Sequence, residues 1–427
     1  MPADVLVVLL EGRRIGEIER RSGGLHLRYD DAHRSAPSAT RLSVSMPGSR
    51  ATHGDDRVSP WLWGLLPDNA DVLERWGRDF GVSVASPFPL LGTQVGHDCA
   101  GAVQLCRPDA LAELVERSGD VEWLTDDQVA GRIASLRVDA TSWLGPGFTG
   151  QFSLGGAQAK TALHRSEGRW GVPHGSTPTT HILKPAMAGL ESQDLNEHLC
   201  LTAARFVGLR AASTSILDLG RERAIAVERF DRVEIDGVLR RVHQEDLCQA
   251  LSLHPTRKYQ AEGGPSPGRI AELIRRVVPS PFTGTDLWRF VDALAFNWII
   301  GGTDAHAKNY GFLLTGAQVR LAPLYDVASI LPYDTSEGHR VRFAMKIGSD
   351  YRLPRTDRHS AWQKTAAELE LRPDDVVERV AGLAGAVPAA FERAATDASI
   401  ARLGSDLPGR LVDLVGRRAA TCLAALG

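Results

Sequence analysis

The run Leu294 to Ile300 is the strongest constraint on how this chain folds, because it passes without a linker into Gly301-Gly302, a polar stretch and a second apolar run at Phe312 to Leu314. Leu287 to Ile300 has the composition and spacing of a buried helix. Two glycines let a chain leave such a helix abruptly. The polar stretch Thr303-Asp304-Ala305-His306-Ala307-Lys308-Asn309 is therefore expected as a loop at the end of a buried helix, and Leu324-Tyr325-Asp326 follows after a short hairpin. Asp304, Asn309 and Asp326 offer a carboxylate, an amide oxygen and a second carboxylate. These are hard oxygen donors of the kind Mg²⁺ takes, and an ion that keeps several waters needs no cysteine or histidine. Aspartate and asparagine also favour turns by bonding their own backbone, so the spacing alone does not separate a site from a turn. The apolar setting favours a site.

Composition narrows the partners. At 427 residues the chain has room for two or three packed units. A formal charge of −3 and a pI near 6.5 give no general attraction to nucleic acid, so DNA contact is expected only through a partner. The five cysteines, Cys99, Cys106, Cys200, Cys248 and Cys422, are scattered in apolar segments without a C-x-x-C pair. They are expected to be reduced core residues, which points to a cytoplasmic setting and away from structural zinc. Met1-Pro2-Ala3-Asp4 supplies no basic region before the short apolar run Val5 to Leu10, so neither signal peptide nor membrane span is expected.

Along the chain, Val5 to Leu10, Ile15 to Ile18 and Leu25 to Tyr29 are separated by turn signals and predict a strand meander. Val72, Leu73, Trp76 and Phe80 recur at helical spacing. Asp120 to Arg132 is a connecting or helical segment, and Gly145-Pro146-Gly147 marks a boundary. Strands are expected at Ser153 to Leu163, Thr180 to Lys184 and Ala224 to Val227, with a helix from Ser192, as N-cap, to a stop at Gly208. Beyond residue 240 the spacing is helical at Leu247 to Leu253, Ile270 to Val278, Leu287 to Ile300 and Asp374 to Gly385. His243-Gln244-Glu245-Asp246 is expected to open a helix, with acidic residues in its first turn.

Other segments carry compatible chemistry. In protein kinases the catalytic aspartate precedes a metal-binding asparagine by five residues and a later aspartate also holds Mg²⁺, the order of Asp304, Asn309 and Asp326. Ser153-Leu154-Gly155-Gly156-Ala157-Gln158-Ala159-Lys160 is a small-residue loop whose backbone N–H groups could approach phosphate. Ala159 stands where a Walker A loop needs glycine, which disfavours a P-loop NTPase. A plain hairpin with a solvated lysine is the alternative. Lys184 suits the strand lysine that meets ATP phosphates, or is a snorkelling strand-end residue. Glu197 is its candidate ion-pair partner, Glu191 the competitor, and a solvated helix face the alternative for either. Glu228-Arg229-Phe230 follows a buried-looking strand where an adenine hinge would lie, with ordinary strand-end polarity at even weight. Asp304 is a better base than His306, since phosphoryl transfer demands orientation more than strong proton removal. Lys308 could neutralise the transferred group. A His-Asp metal hydrolase on Asp304, His306 and Asp326 is the rival chemistry.

Taken in chain order, Leu65-Leu66-Pro67-Asp68, Gly101-Ala102-Val103, Phe152 to Leu163, Ile182-Leu183-Lys184, Asn196-Glu197, Val227 to Arg232, Gln244 to Cys248, Gly302 to Asn309 and Tyr325-Asp326 give a chain that resembles the HipA family of bacterial serine/threonine kinases, toxins of HipBA-type pairs. The resemblance implies an α+β, two-lobed kinase-like fold: an N-terminal β-rich subdomain over 1–145, a small lobe over 146–238 and a helical large lobe over 239–427. It implies ATP and Mg²⁺ as cofactors. Asp304 would be the base, Asn309 and Asp326 the metal ligands, and Glu197 the partner of Lys184. The nucleotide would be held by Ser153, Gly155, Gly156, Ala157, Gln158, Lys160, Lys184, Glu228, Arg229, Phe230, His306 and Lys308. It implies autophosphorylation at Ser153, where a dianion would compete with ATP phosphates for the loop amides. The implied partners are a HipB-like DNA-binding antitoxin, operator DNA only through it, and a protein substrate, in some members an aminoacyl-tRNA synthetase. A catalytically weak antitoxin-binding corepressor and a small-molecule kinase are the alternatives. Val327-Ala328 after Asp326, where eukaryotic kinases have Phe-Gly, argues against activation-loop control of that kind.

Overall fold

A computed structural model describes residues 4–427 apart from 117–118, 146, 148–149, 188 and 337. Met1, Pro2 and Ala3, used above against a signal peptide, and Pro146 of the expected boundary lie outside the described residues. The chain is α+β. By packing it divides into two units: Met1–Pro185 with Leu217–Thr256 and Phe312–Val319, and Ala186–Ile216 with Arg257–Gly311 and Arg320–Gly427.

The predicted meander opens the first unit. Strands β1 (Val5–Leu10), β2 (Arg13–Arg21), β3 (Gly24–Tyr29), β4 (Thr52–His53) and β5 (Val103–Cys106) form an antiparallel sheet in the order β4-β3-β2-β1-β5. Leu6, Val8 and Leu10 face the main core, while Val7 and Leu9 pack with Cys106 and Leu114 on the other side. A strand covered on both faces reads as an unbroken apolar run, which is why 5–10 does not alternate. Helices α1 (Asp55–Leu65) and α2 (Ala70–Asp79) follow, the second capped by the Asn69 side chain accepting from Asp71 N–H.

In a second sheet, β6 (Val121–Trp123), β7 (Thr161–Ser166), β8 (Arg169–Pro173), β9 (His181–Pro185) and β10 (Arg223–Glu228) neighbour one another as β10-β9-β7-β8-β6. Helix α3 (Asp126–Val138) starts on a reciprocal Thr125–Gln128 capping box and packs on β9 and β10. Of the strand expected over Ser153 to Leu163, only the part from Thr161 forms. The residues before it are held as a loop around Gly156, whose φ of +97° a side chain would disfavour.

A ribbon of β11 (Arg232–Ile235) and β12 (Val238–Arg241) leads to β13 (His243–Asp246). The helix expected to open at His243 is thus a strand, and Asp246 instead caps the single turn Leu247–Ala250, shorter than the helix expected to Leu253. The reason is tertiary. His243 Nε2–H donates to Leu42 O at 2.7 Å, and Val44 N–H donates to Glu245 at 2.8 Å.

The first unit also contains a buried ion network. Asp98 accepts from Arg229, Arg232 and Arg241, and Asp231 from Arg229 and from the N–H of Gly101. Burial alone would raise both carboxyl pKa values. The guanidiniums outweigh it, holding Asp98 well below the usual range and Asp231 at about 2. One core runs from Leu6 through Phe152 and Leu163 to Ala226, with residues from both sides of position 145 in it.

The second unit is largely helical, with α4 (Gln193–Phe206), α5 (Pro267–Val277), α6 (Thr283–Ile300), α7 (His359–Glu368), α8 (Pro373–Ala395) and α9 (Leu407–Leu426). Helix α8 packs on α4, α6, α7 and α9. Ser192 stands at the start of α4 but makes no capping bond. Its φ of +56° is left-handed, and its hydroxyl instead pairs with that of Ser405 at 3.3 Å. Gly208, at φ +85°, follows the helix as expected. No helix among the described residues is long and apolar enough to cross a membrane, and all five cysteines are buried thiols.

Candidate active site

Helix α6 is buried along most of its length and ends at Gly301, whose φ of +66° is a left-handed C-cap. Gly302 N–H then donates to Asn297 O at 2.7 Å. From there the chain enters the expected loop. His306 N–H donates to Asp304 O at 2.8 Å, Asn309 N–H to His306 O at 2.9 Å, and the Asn309 amide nitrogen to Asp304 O at 2.7 Å. A carbonyl cannot donate, so the face of Asn309 that meets it is the NH₂, and Oδ1 points the other way. The base candidate is thereby tied through its carbonyl to the ligand candidate, which ends the short 3₁₀ turn Ala307–Asn309. Asp304 itself keeps its side chain 65% exposed, with Oδ2 4.0 Å from His306 Nε2.

Asp326 is brought to this loop through its neighbour. The Tyr325 hydroxyl donates to Lys308 O at 2.6 Å, tying the segment that carries Asp326 to the one that carries Asn309. Leu324 is fixed in turn, its N–H donating to Arg210 O and its O accepting from Ala212 N–H, each at 2.8 Å. Asp326 has φ +58°, a left-handed conformation that aspartate tolerates better than most residues. After it, Asn196 on α4 exchanges two bonds with Ser329, accepting from its N–H at 3.0 Å and donating to its O at 2.7 Å, while the Ser329 hydroxyl donates to Ile300 O. Two oxygen donors from two fastened segments fit Mg²⁺, which takes one or two protein carboxylate or amide ligands and completes its shell with water and phosphate.

The phosphate-loop candidates lie in the first unit. Ser153 is fully buried, its hydroxyl donating to Leu65 O at 2.8 Å and its N–H to Asp98 O at 3.0 Å. Gly155, Gly156 and Ala157 form the turn, with Ala157 exposed at its tip and Gly156 O accepting from Asp68 N–H. Gln158 reaches Pro185 O at 3.4 Å, which joins the loop to the end of β9 beside Lys184. Lys160 is not a solvated lysine. Its Nζ donates to Gly155 O at 2.7 Å and stands 4.9 Å from the centre of the Trp143 ring, where it braces the loop. Lys184 is 6% exposed and lies opposite Ile225 of β10.

Of the hinge trio, Arg229 is turned inward. Its guanidinium belongs to the buried ion network, its N–H donates to Thr180 O and its O accepts from Arg232 N–H. That removes Arg229 from the residues expected to meet a nucleotide and leaves Glu228, exposed, and Phe230, half-buried. Glu197, on α4 of the second unit, is 1% exposed, so the solvated-face alternative does not hold for it. Tyr259 was not expected: its hydroxyl donates to Asp304 Oδ1 at 2.5 Å.

Residues 6–106 match the HipA N-terminal domain family and residues 152–391 the HipA-like C-terminal domain family. The chain is 34% identical to "Putative kinase Y4mE" of Sinorhizobium fredii over 98% of both chains. It is 30% identical to the serine/threonine-protein kinase toxin HipA of Shewanella oneidensis over 73% of this chain and 71% of that one. Its fold matches that of a chain in the complex of HipA, HipB and operator DNA from Shewanella oneidensis MR-1 with a TM-score of 0.82, over 99% and 98% of the two chains, at 23% identity. An α+β, kinase-like fold with both family segments in order, one relative matched end to end and another a kinase toxin, places this chain in the HipA family of serine/threonine-protein kinase toxins.

Proposed function

We propose that this protein transfers the γ-phosphoryl group of ATP to a serine or threonine hydroxyl of a cellular protein, as the toxin of a two-component pair. The observation that carries the reading is the Asp304–Asn309 turn: an exposed carboxylate whose own carbonyl fixes the amide beside it, at the end of a buried helix. Asp304 orients the acceptor hydroxyl and takes its proton. Asn309 Oδ1 and the Asp326 carboxylate hold Mg²⁺, which when bound neutralises charge on the phosphates. In the first unit Lys184 meets the phosphates, and in the second Lys308 and His306 line the approach to Asp304. The loop amides from Gly155 to Gln158 cradle the nucleotide, with Lys160 as their brace, and Glu228 and Phe230 meet the adenine. In functional terms 1–145 is then the HipA-type subdomain, 146–238 the small lobe and 239–427 the large lobe.

A HipB-like antitoxin is the proposed partner, on the precedent of the Shewanella complex, with operator DNA reached through it. Ser153 is the proposed autophosphorylation site. Its hydroxyl is buried against Leu65 O, so modification requires the loop to swing outward, and a dianion has no place in the pocket it leaves.

Incubating the full chain with Mg²⁺ and γ-labelled ATP tests both claims. The wild type is expected to become labelled, Asp304→Asn to lose label by at least about 100-fold, and Ser153→Ala to lose self-labelling while still binding ATP. Equal labelling of wild type and Asp304→Asn rejects the base assignment. Phosphate found by mass spectrometry only outside Ser153 rejects the regulatory one.

A further inference from the structure

The segment around Tyr259 is stitched to the catalytic loop and to the strand Arg342–Ile347. Ala307 N–H donates to Lys258 O at 3.1 Å, and Lys346 N–H to Gln260 Oε1 at 2.8 Å. The Tyr259 ring meets His306 edge to face, with centroids 5.0 Å apart and planes at 82°. Its hydroxyl, 45 residues from Asp304 in sequence, donates to Oδ1 of that carboxylate at 2.5 Å.

An exposed aspartate carboxylate rotates easily, because its terminal torsion has a broad minimum. A base that must meet one hydroxyl in one direction gains from losing that freedom. We propose, on the reading of Asp304 as the base, that Tyr259 is a positioning residue: its bond to Oδ1 fixes the carboxylate so that Oδ2 alone receives the acceptor hydroxyl. In the step so arranged, the acceptor oxygen forms a bond to the γ-phosphorus as the bond from that phosphorus to the β,γ-bridging oxygen breaks. ADP departs with the bonding pair, the acceptor's proton passes to Oδ2, and Tyr259 keeps its own proton. His306 takes part as the wall against which the tyrosine ring rests.

Tyr259→Phe removes the hydroxyl and keeps the ring on His306, so it separates positioning from packing. In the full chain, with MgATP and myelin basic protein as acceptor, its turnover is expected to fall about 10- to 100-fold while KM for ATP stays within about twofold of wild type. In an Asp304→Asn background the same change is expected to add no further loss, because a residue that acts only through another has nothing left to act on. Unchanged turnover, a raised KM with turnover intact, a further loss in the double variant, or phosphate on Tyr259 itself would each overturn the proposal. If Asp304→Asn matches the wild type, the kinase-base reading fails first, and that outcome is distinguishable from a failure confined to Tyr259.

Discussion

A Cβ added to Gly302 would stand 2.3 Å from Asn297 Oδ1 and 3.1 Å from its Cγ. Asn297 cannot easily retreat, since its amide donates to Ala293 O within α6. Gly302→Ala is therefore expected to cost about 1–3 kcal/mol, read as a lower denaturant midpoint with an unchanged slope; an unchanged midpoint would show that the helix end yields freely. The same crowding explains why the site was half legible from sequence. Asp304 and Asn309 face each other across a single turn, so their spacing carries the geometry. Tyr259 reaches Asp304 only through tertiary folding, and no local pattern announces it. Arg229 was misjudged for a related reason. Its neighbours Glu228 and Phe230 are compatible with a hinge, but Asp98, 131 residues earlier, draws its side chain inward.

Strand β13 shows the same effect on a whole element. Two adjacent acids, Glu245 and Asp246, suit the first turn of a helix, and Asp246 does cap one. Glu245, however, is buried beside Ser43, Val44 and Trp61, and that burial pushes its carboxyl up from 4.5 to about 8. The bond from Val44 N–H and the neighbouring polar groups of Ser43 and Trp61 only partly offset the desolvation. Between these two values the folded protein keeps a proton that the unfolded chain has released, so stability falls as pH rises through that window. Glu245→Gln, which imitates the protonated acid, is expected to flatten the loss, a difference on the order of a few kcal/mol by pH 8; parallel pH–stability curves for the two proteins would refute it. His243, buried on the same strand, has the opposite sign. Burial lowers it to about 4, so it remains neutral, donating from Nε2 and accepting Ala102 N–H at Nδ1, and its contribution is lost as pH falls from about 6.5 toward 4. Elements with simple burial were easier to foresee. The meander over 5–29 and helices α2, α5, α6 and α8 follow period and punctuation, whereas strand β13 is set by partners some 200 residues away.

Within the first packed unit, the segments matched by two separate family descriptions share one interior. Core residues of 6–106 lie in the same cluster as Phe152, Leu163, Leu183, Ala224 and Ala226. Asp98 from the first segment pairs with Arg229, Arg232 and Arg241 from the second. A piece ending at residue 106 would leave Asp98 without its arginines and much of its apolar surface uncovered. It is expected to show no cooperative unfolding transition by far-UV circular dichroism, and a sharp transition would show that the shared core is dispensable. The polar contacts matter as much, since removing one partner of a buried ion pair typically costs about 3–5 kcal/mol. The two carbonyls that hold Ser153, those of Leu65 and Asp98, also come from the first segment. Anyone recombining homologues would therefore find that a crossover placed in the natural-looking gap between 106 and 152 exchanges more than a module. It replaces the cradle of Ser153 and half of a charge balance at once, so the smallest transplantable piece runs from the first strand to at least Arg241.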